Sequence, residues 1–160
     1  MSTTEATSLE QRIARLEDRA AISELRARFC VYTDEQRWDD LVALFTADGV
    51  LDVRGEVKGR EAIRDAVGHL PELWESWWHT VDTEITEIDD DSATGIAYFD
   101  APFVAEGESF NAIGRYDDSF ARDDGEWRFS RRVLSFAVSA PLSAGWNGEL
   151  PEGIHRAPGR

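Results

Sequence analysis

The chain has 160 residues, 42% of them hydrophobic, with six Trp, eight Phe and three Tyr, which is enough apolar mass for one domain with a buried core. Asp and Glu outnumber Lys and Arg by 32 to 17; the resulting formal charge of −15 repels nucleic-acid backbones and anionic lipid surfaces. No apolar run approaches the roughly 18 residues of a membrane span, the polar start Met1 to Ala6 is unlike a secretory signal, and Cys30 has no partner for an internal disulfide, so a cytoplasmic protein is expected.

In chain order, residues 1–7 read as a loose tail. Ser8 then caps a helix, with Gln11 as its capping-box partner. Leu9, Ile13 and Leu16, then Ile22, Leu25, Phe29 and Thr33, keep helical spacing, so helix is expected from 9 to 35 with a break near Ala20. A second helix from Trp38 to Phe45 stops at Asp48-Gly49, and Gly49 to Val53 reads as a short strand. A third helix, Gly59 to Leu70, presents Ile63, Ala66, Val67 and Leu70 on its buried side, and Pro71 ends it.

The period then changes. Segments near 76–88, 92–105, 109–122 and 126–141 are β-rich, separated by the turns Asp89-Asp90-Asp91, Glu106-Gly107-Glu108 and Asp123-Asp124-Gly125. Long strands with short connections predict an antiparallel meander, and helices followed by sheet predict an α+β domain over 8–141. Residues 142–160, rich in Pro and Gly, read as an irregular tail.

Two residues stand out chemically. The first helix has a second face, Ser23, Ala27, Cys30, Val31 and Asp34, leading to one carboxylate; Asp34 beside Glu35 equally fits a solvated last turn. His79 opens a predicted strand on which Val81, Thr83 and Ile85 share its face, and the apolar members of that face should turn inward. Imidazole is suited to general-base work, and a carboxylate on its other nitrogen fixes the tautomer. A core histidine bonded to a backbone carbonyl is the alternative. His69 and His155 have no evident partner, and no motif for a metal, nucleotide or nucleophilic serine is present, so neither a metal nor a cofactor is expected. Tyr32 and Asn111 are candidate hydrogen-bonding groups of a pocket, and Trp74, Trp77, Trp78, Phe99 and Phe103 fit pocket wall, core or subunit contact. Clustered aromatics predict a homodimer or homotrimer.

Several of these stretches resemble a known family. Arg19 to Leu25, Tyr32-Thr-Asp34, Trp38 to Gly49, Gly59 to Ile63, His79-Thr-Val and Gly114-Arg-Tyr through Arg132 follow the order seen in SnoaL-like proteins of the NTF2-like superfamily, over roughly residues 9 to 140. The resemblance implies a cone-shaped α+β barrel with N-terminal helices on a curved, mostly antiparallel sheet enclosing an apolar pocket. Its nearest likeness is to the branch of scytalone dehydratase, bile-acid 7α-dehydratase and hexachlorocyclohexane dehydrochlorinase, which act without a cofactor on small cyclic molecules. By that resemblance His79 abstracts a proton from carbon, Asp34 orients it, and Arg132, or its neighbour Arg131, assists the leaving group. Phe29 stands where the dehydrochlorinase carries a lysine, and only Tyr32 and Tyr98 are available for the tyrosine pair of scytalone dehydratase. Phe29, Tyr32, Tyr98, Phe99 and Asn111 are thus expected to line the substrate site. The implied activity is that of a lyase or isomerase on a small apolar molecule; the alternative is a non-catalytic binding or regulatory module of the same fold.

Overall fold

The structure, a computed structural model, describes residues 8–145; the expectations for residues 1–7, for His155 and for most of the C-terminal tail lie outside them. α1 (Leu9–Asp34) opens on the expected capping box, in which the Ser8 hydroxyl accepts from the Gln11 N–H and Gln11 Oε1 accepts from the Ser8 N–H. It runs through Ala20 without a break. Its buried face is Ile22, Leu25, Arg26, Phe29, Cys30 and Thr33, whereas Leu9, Ile13 and Leu16 are exposed, so the apolar stripe reaches the core only from Ile22 onward.

α2 (Trp38–Ala43) is shorter than expected, because Phe45 is already strand. β1 (Phe45–Asp52) pairs in parallel with the last strand, and its register slips between Phe45 and Val50. Asp48-Gly49 therefore marks a bulge within β1 rather than a helix stop: a Cβ at Gly49 would lie 2.9 Å from that of Phe45. The short β2 (Glu56–Lys58) folds back on β1 as a hairpin that sequence patterning does not reveal. α3 (Arg60–Gly68) follows, and then a single turn, α4 (Leu70–Leu73), which carries Pro71 in its first turn, where a missing N–H costs nothing.

β3 (Ser76–Trp77) and β4 (Thr80–Asp89) both pair antiparallel with β5 (Ser92–Ala105), and β6 (Glu108–Asp123) and β7 (Glu126–Pro141) complete the meander. The sheet is mixed and open, in the order β2-β1-β7-β6-β5-β3 with β4 also on β5. Two departures from the predicted first strand shape the site. The strand is interrupted at Trp78 and His79, and a bulge between Asp82 and Ile85 reverses its faces. Val81 stays on the inner side, but Ile85 is 57% exposed and Thr86 is buried in its place.

The helices cover the inner face of the sheet over a core that includes Ile22, Leu25, Phe29, Leu41, Phe45, Ile63, Phe120 and Phe129. A second cluster, Ala97, Phe99, Ala101, Ala112 and Tyr116, lies on the same face beneath half-buried Val81, Phe103, Leu134 and Phe136. Gly114 lets Phe99 pack flat there, since a Cβ would lie 2.7 Å from the Phe99 ring. No helix among the described residues is long and apolar enough to cross a membrane.

Candidate active site

The strand interruption and the end of α1 meet at Asp34 and His79. His79 lies outside the β4–β5 ladder, and its backbone N–H donates instead to Asp34 Oδ2 at 3.0 Å. Its ring Nδ1 lies 2.6 Å from Asp34 Oδ1. The Trp77 indole N–H donates to the Thr33 carbonyl at 3.2 Å, tying the same strand to the same helix end one residue earlier. Both side chains of the pair are only 11% exposed, mostly buried yet reachable. A carboxylate can only accept, so Nδ1 carries a proton, and the neutral ring in this orientation has its lone pair on Nε2. Such a pair has the tautomer that general-base chemistry requires.

Trp74 packs against Trp77 and Phe103, with ring centroids 6.1 and 4.8 Å away, and Phe103 stacks on Phe110 at 5.1 Å. One groove of about 500 Å³ lies on the outer sheet face between Ile85, Thr94, Asp117 and Arg131, and another of about 580 Å³ between α1 and the β6–β7 turn; neither includes Asp34 or His79.

The remaining expected site residues are scattered, for reasons of register. Arg132 is on the inner face and fully buried, where its Nε and Nη2 donate to Asp118 at 2.8 and 2.9 Å. Arg131, one residue earlier, faces the other way and pairs with Asp52 and Glu56, so of the two only Arg132 is on the inner face. Phe29 is core, edge-on to Phe45, Tyr116 and Phe129, with the Arg132 guanidinium 4.4 Å from its ring. Phe99 is buried on the inner face against Tyr116 at 4.7 Å. Three other expected residues point away from the inner face or the pair. Tyr32, two residues and some 200° of helix from Asp34, lines the groove of α1 under the Arg37 guanidinium. Tyr98 alternates with Phe99 and is 47% exposed on the outer face. Asn111 pairs with Pro102 and Ala140, on the opposite side from Ala112 and Tyr116.

Sequence reading missed a buried ionic network. Arg26, fully buried in α1, donates through Nε to Asp118 at 3.0 Å and through Nη1 to Thr86 at 2.9 Å and Glu84 at 3.3 Å. Asp118 thus holds Arg26 and Arg132 together. The signal was present: Arg26 lies four residues after Ile22 and three before Phe29, and Asp118 shares the strand face of Tyr116 and Phe120. Burial works against the Arg132 charge, but Asp118 outweighs it and holds the guanidinium above its ordinary range. Burial likewise pushes the Cys30 thiol up to about 11, with Asp34 and Asp118 adding to the effect against Arg132. Cys30 is therefore expected to stay unreactive toward a disulfide reagent at pH 8 in the folded protein and to react fully in denaturant, as thiol titration reads directly. Among the described residues no cluster of three or more His, Cys, Asp or Glu is placed to hold a metal ion.

A curved, open sheet under an N-terminal helix is the NTF2-like α+β fold, and here a His–Asp pair sits at the helix end. A family model described as a SnoaL-like domain matches residues 14–133, and the chain belongs to that family. An uncharacterised protein of Mycobacterium tuberculosis is 28% identical over 131 residues, 76% of this chain and 86% of that one. Among solved structures, the hexachlorocyclohexane dehydrochlorinase of LinA type 3 from Novosphingobium barchaimii superimposes with a TM-score of 0.77 at 25% identity, over 88% of this chain and 99% of that one. A candidate scytalone dehydratase from Novosphingobium aromaticivorans does so with a TM-score of 0.78 at 18% identity, over 91% and 96%, a likeness of fold.

Proposed function

We propose that the protein is a cofactor-independent lyase or isomerase acting on a small, largely apolar cyclic molecule. The observation that carries this reading is the double contact of Asp34 with the ring and backbone of His79. His79 Nε2 takes a proton from carbon next to a leaving group or carbonyl, and Asp34 stabilises the imidazolium that forms. Arg132 is the cation available on the inner face for the charge that develops on the other side of the substrate. The dehydratase and dehydrochlorinase names of the structural neighbours favour the same reaction type. Base catalysis of this kind contributes on the order of 10²–10⁴ in rate. A panel of hydroxylated and halogenated cyclic compounds is the test: His79→Ala should keep the wild-type thermal midpoint and lose turnover by that factor, and equal turnover in the two proteins refutes the base.

A second reading, a non-catalytic binding module, is favoured by the aromatic filling of the inner face, where Phe29, Phe99 and Tyr116 are all buried. It predicts ligand binding that His79→Ala leaves intact, and no turnover in either protein. In either case we expect self-association as a dimer or trimer, for which exposed Trp78, Tyr98 and Ile85 offer apolar surface. Sedimentation velocity decides this, and a monomer at micromolar concentration contradicts it.

A further inference from the structure

We propose that residues 9–20 of α1 are a docking surface for a second copy of this chain, the two helices lying side by side and parallel as a short two-stranded coil. This interface is separate from the His79 site and from the surface of Trp78, Tyr98 and Ile85, and it does not depend on turnover of any substrate. Every residue from Ser8 to Glu17 is exposed, so the start of α1 stands clear of the sheet that its later turns cover. The segment nevertheless carries large aliphatic side chains: Leu9, Ile13 and Leu16 are 68%, 47% and 67% exposed. At about 100° of turn per residue, these three and Ala20 fall within about 60° of arc, on the side of the helix opposite Ile22, Leu25 and Phe29. Helices in proteins owe most of their stability to the packing of an apolar face. Here the face is formed, behind the capping box of Ser8 and Gln11, and nothing among the described residues covers it.

The spacing points to the occupant. Leu9, Ile13, Leu16 and Ala20 follow one another by four, three and four residues, the alternation of a heptad seam with Leu9 and Leu16 at d and Ile13 and Ala20 at a. A β-branched residue at a with leucine at d favours two parallel strands. The flanking charges agree. Arg12 and Arg19 take the g positions, and Glu17 and Glu24, five residues on, take the e positions that meet them from the partner helix. In a parallel pair each arginine faces a glutamate; an antiparallel pair sets arginine against arginine and glutamate against glutamate. Among the described residues the side chains of Arg12, Glu17 and Arg19 have no hydrogen bond or ion pair, and Glu24 is held only by exposed Arg28 of its own helix.

The wider charge pattern also favours a second copy here. Residues 9–20 hold three acids, Glu10, Glu17 and Asp18, and three arginines, Arg12, Arg15 and Arg19, so the segment is neutral in a chain of charge −15. Two copies therefore meet at this segment with less repulsion than over the surface as a whole. Past Ala20 the seam stops, because the Ser23 hydroxyl donates to Glu84 of β4 and the sheet borders the helix. Since the core face of α1 lies opposite the seam, a parallel pair carries its two sheets on opposite sides of the coil, where they do not collide.

Sedimentation velocity of the full chain between roughly 1 and 200 μM tests this at low ionic strength. Two charge variants are compared with the wild type: Arg12→Glu with Arg19→Glu, and Glu17→Arg with Glu24→Arg. All four side chains are exposed, so each variant should keep the wild-type thermal midpoint at low concentration. The wild type should form dimers. Each variant alone sets like charges against each other and should bind its own copies roughly 10²-fold more weakly, whereas an equimolar mixture should recover association as a one-to-one pair. Orientation is read by oxidation: Leu16→Cys meets its own copy across a parallel seam and should cross-link, while Ala14→Cys, outside the seam, should not. The proposal is overturned if the wild type is monomeric throughout, if both charge variants associate as the wild type does, if the mixture recovers nothing, or if the two cysteine variants cross-link alike. Charge variants that dimerise undiminished leave the self-association expected above standing and remove this interface from it.

Discussion

Asp118→Leu is expected to be the most destabilising single substitution on the inner face of the sheet, by about 3–5 kcal/mol. Asp118 accepts from Arg26 Nε, Arg132 Nε and Arg132 Nη2, and all three side chains are fully buried. Removing it leaves two guanidinium groups in an apolar site, with Glu84, itself partly exposed, as the nearest remaining counter-charge to Arg26. Arg132 keeps only the faces of Phe29, Tyr116 and Phe129 at 3.9–4.4 Å, and cation–π contact does not replace a bidentate carboxylate. For a domain of this size the loss corresponds to a fall of roughly 6–20 °C in thermal midpoint. Arg26→Met is the control: it leaves the Asp118–Arg132 pair whole and substitutes an apolar side chain of similar length, so it should cost clearly less. A calorimetric scan in which Arg26→Met is as damaging as Asp118→Leu rules out the buried-charge account.

The same network shows where sequence reading reached its limit. A charged residue reads as solvated by default, because isolated burial is so costly. Arg26 and Asp118 escape that rule only because each finds the other across 92 positions of chain, a pairing no local pattern announces. The helical and strand periods were legible where one face is apolar, as in Ile22, Leu25 and Phe29 of α1, or Ala112, Tyr116 and Phe120 of β6. They failed at irregularities. Asp48-Gly49 is an equally good signal for a helix stop and for a bulge, and only the parallel pairing of β1 with β7 selects the second. On β4, alternation from His79 to Ile85 assumed an unbroken strand. The bulge after Asp82 sends Ile85 outward, and His79 faces Asp34 because its own segment has left the ladder. The Asp34–His79 proximity was therefore legible in the residues, while the geometry that brings it about was not.

That geometry sets the expected outcome of Asp34→Asn, a change of one atom per side chain. Both carboxylate oxygens accept from His79, Oδ2 from the backbone N–H and Oδ1 from the ring. An asparagine has a single acceptor. If its oxygen keeps the backbone N–H, its amide group faces Nδ1 and donates to it, which moves the imidazole proton to Nε2 and removes the lone pair from the side where substrate binds. Proton abstraction should then fall on the order of 10²–10⁴, with little change in stability, since the fold loses no buried volume. Asp34→Ala has no donor to impose the wrong tautomer, and it should retain more activity than Asp34→Asn despite the larger truncation. Nitrogen NMR of the imidazole reads the tautomer independently of any substrate: protonated Nδ1 in the wild type, protonated Nε2 in Asp34→Asn. An asparagine variant that keeps Nδ1 protonated, or that exchanges carbon-bound protons as fast as the wild type, would show that Asp34 holds the chain in place without orienting a base.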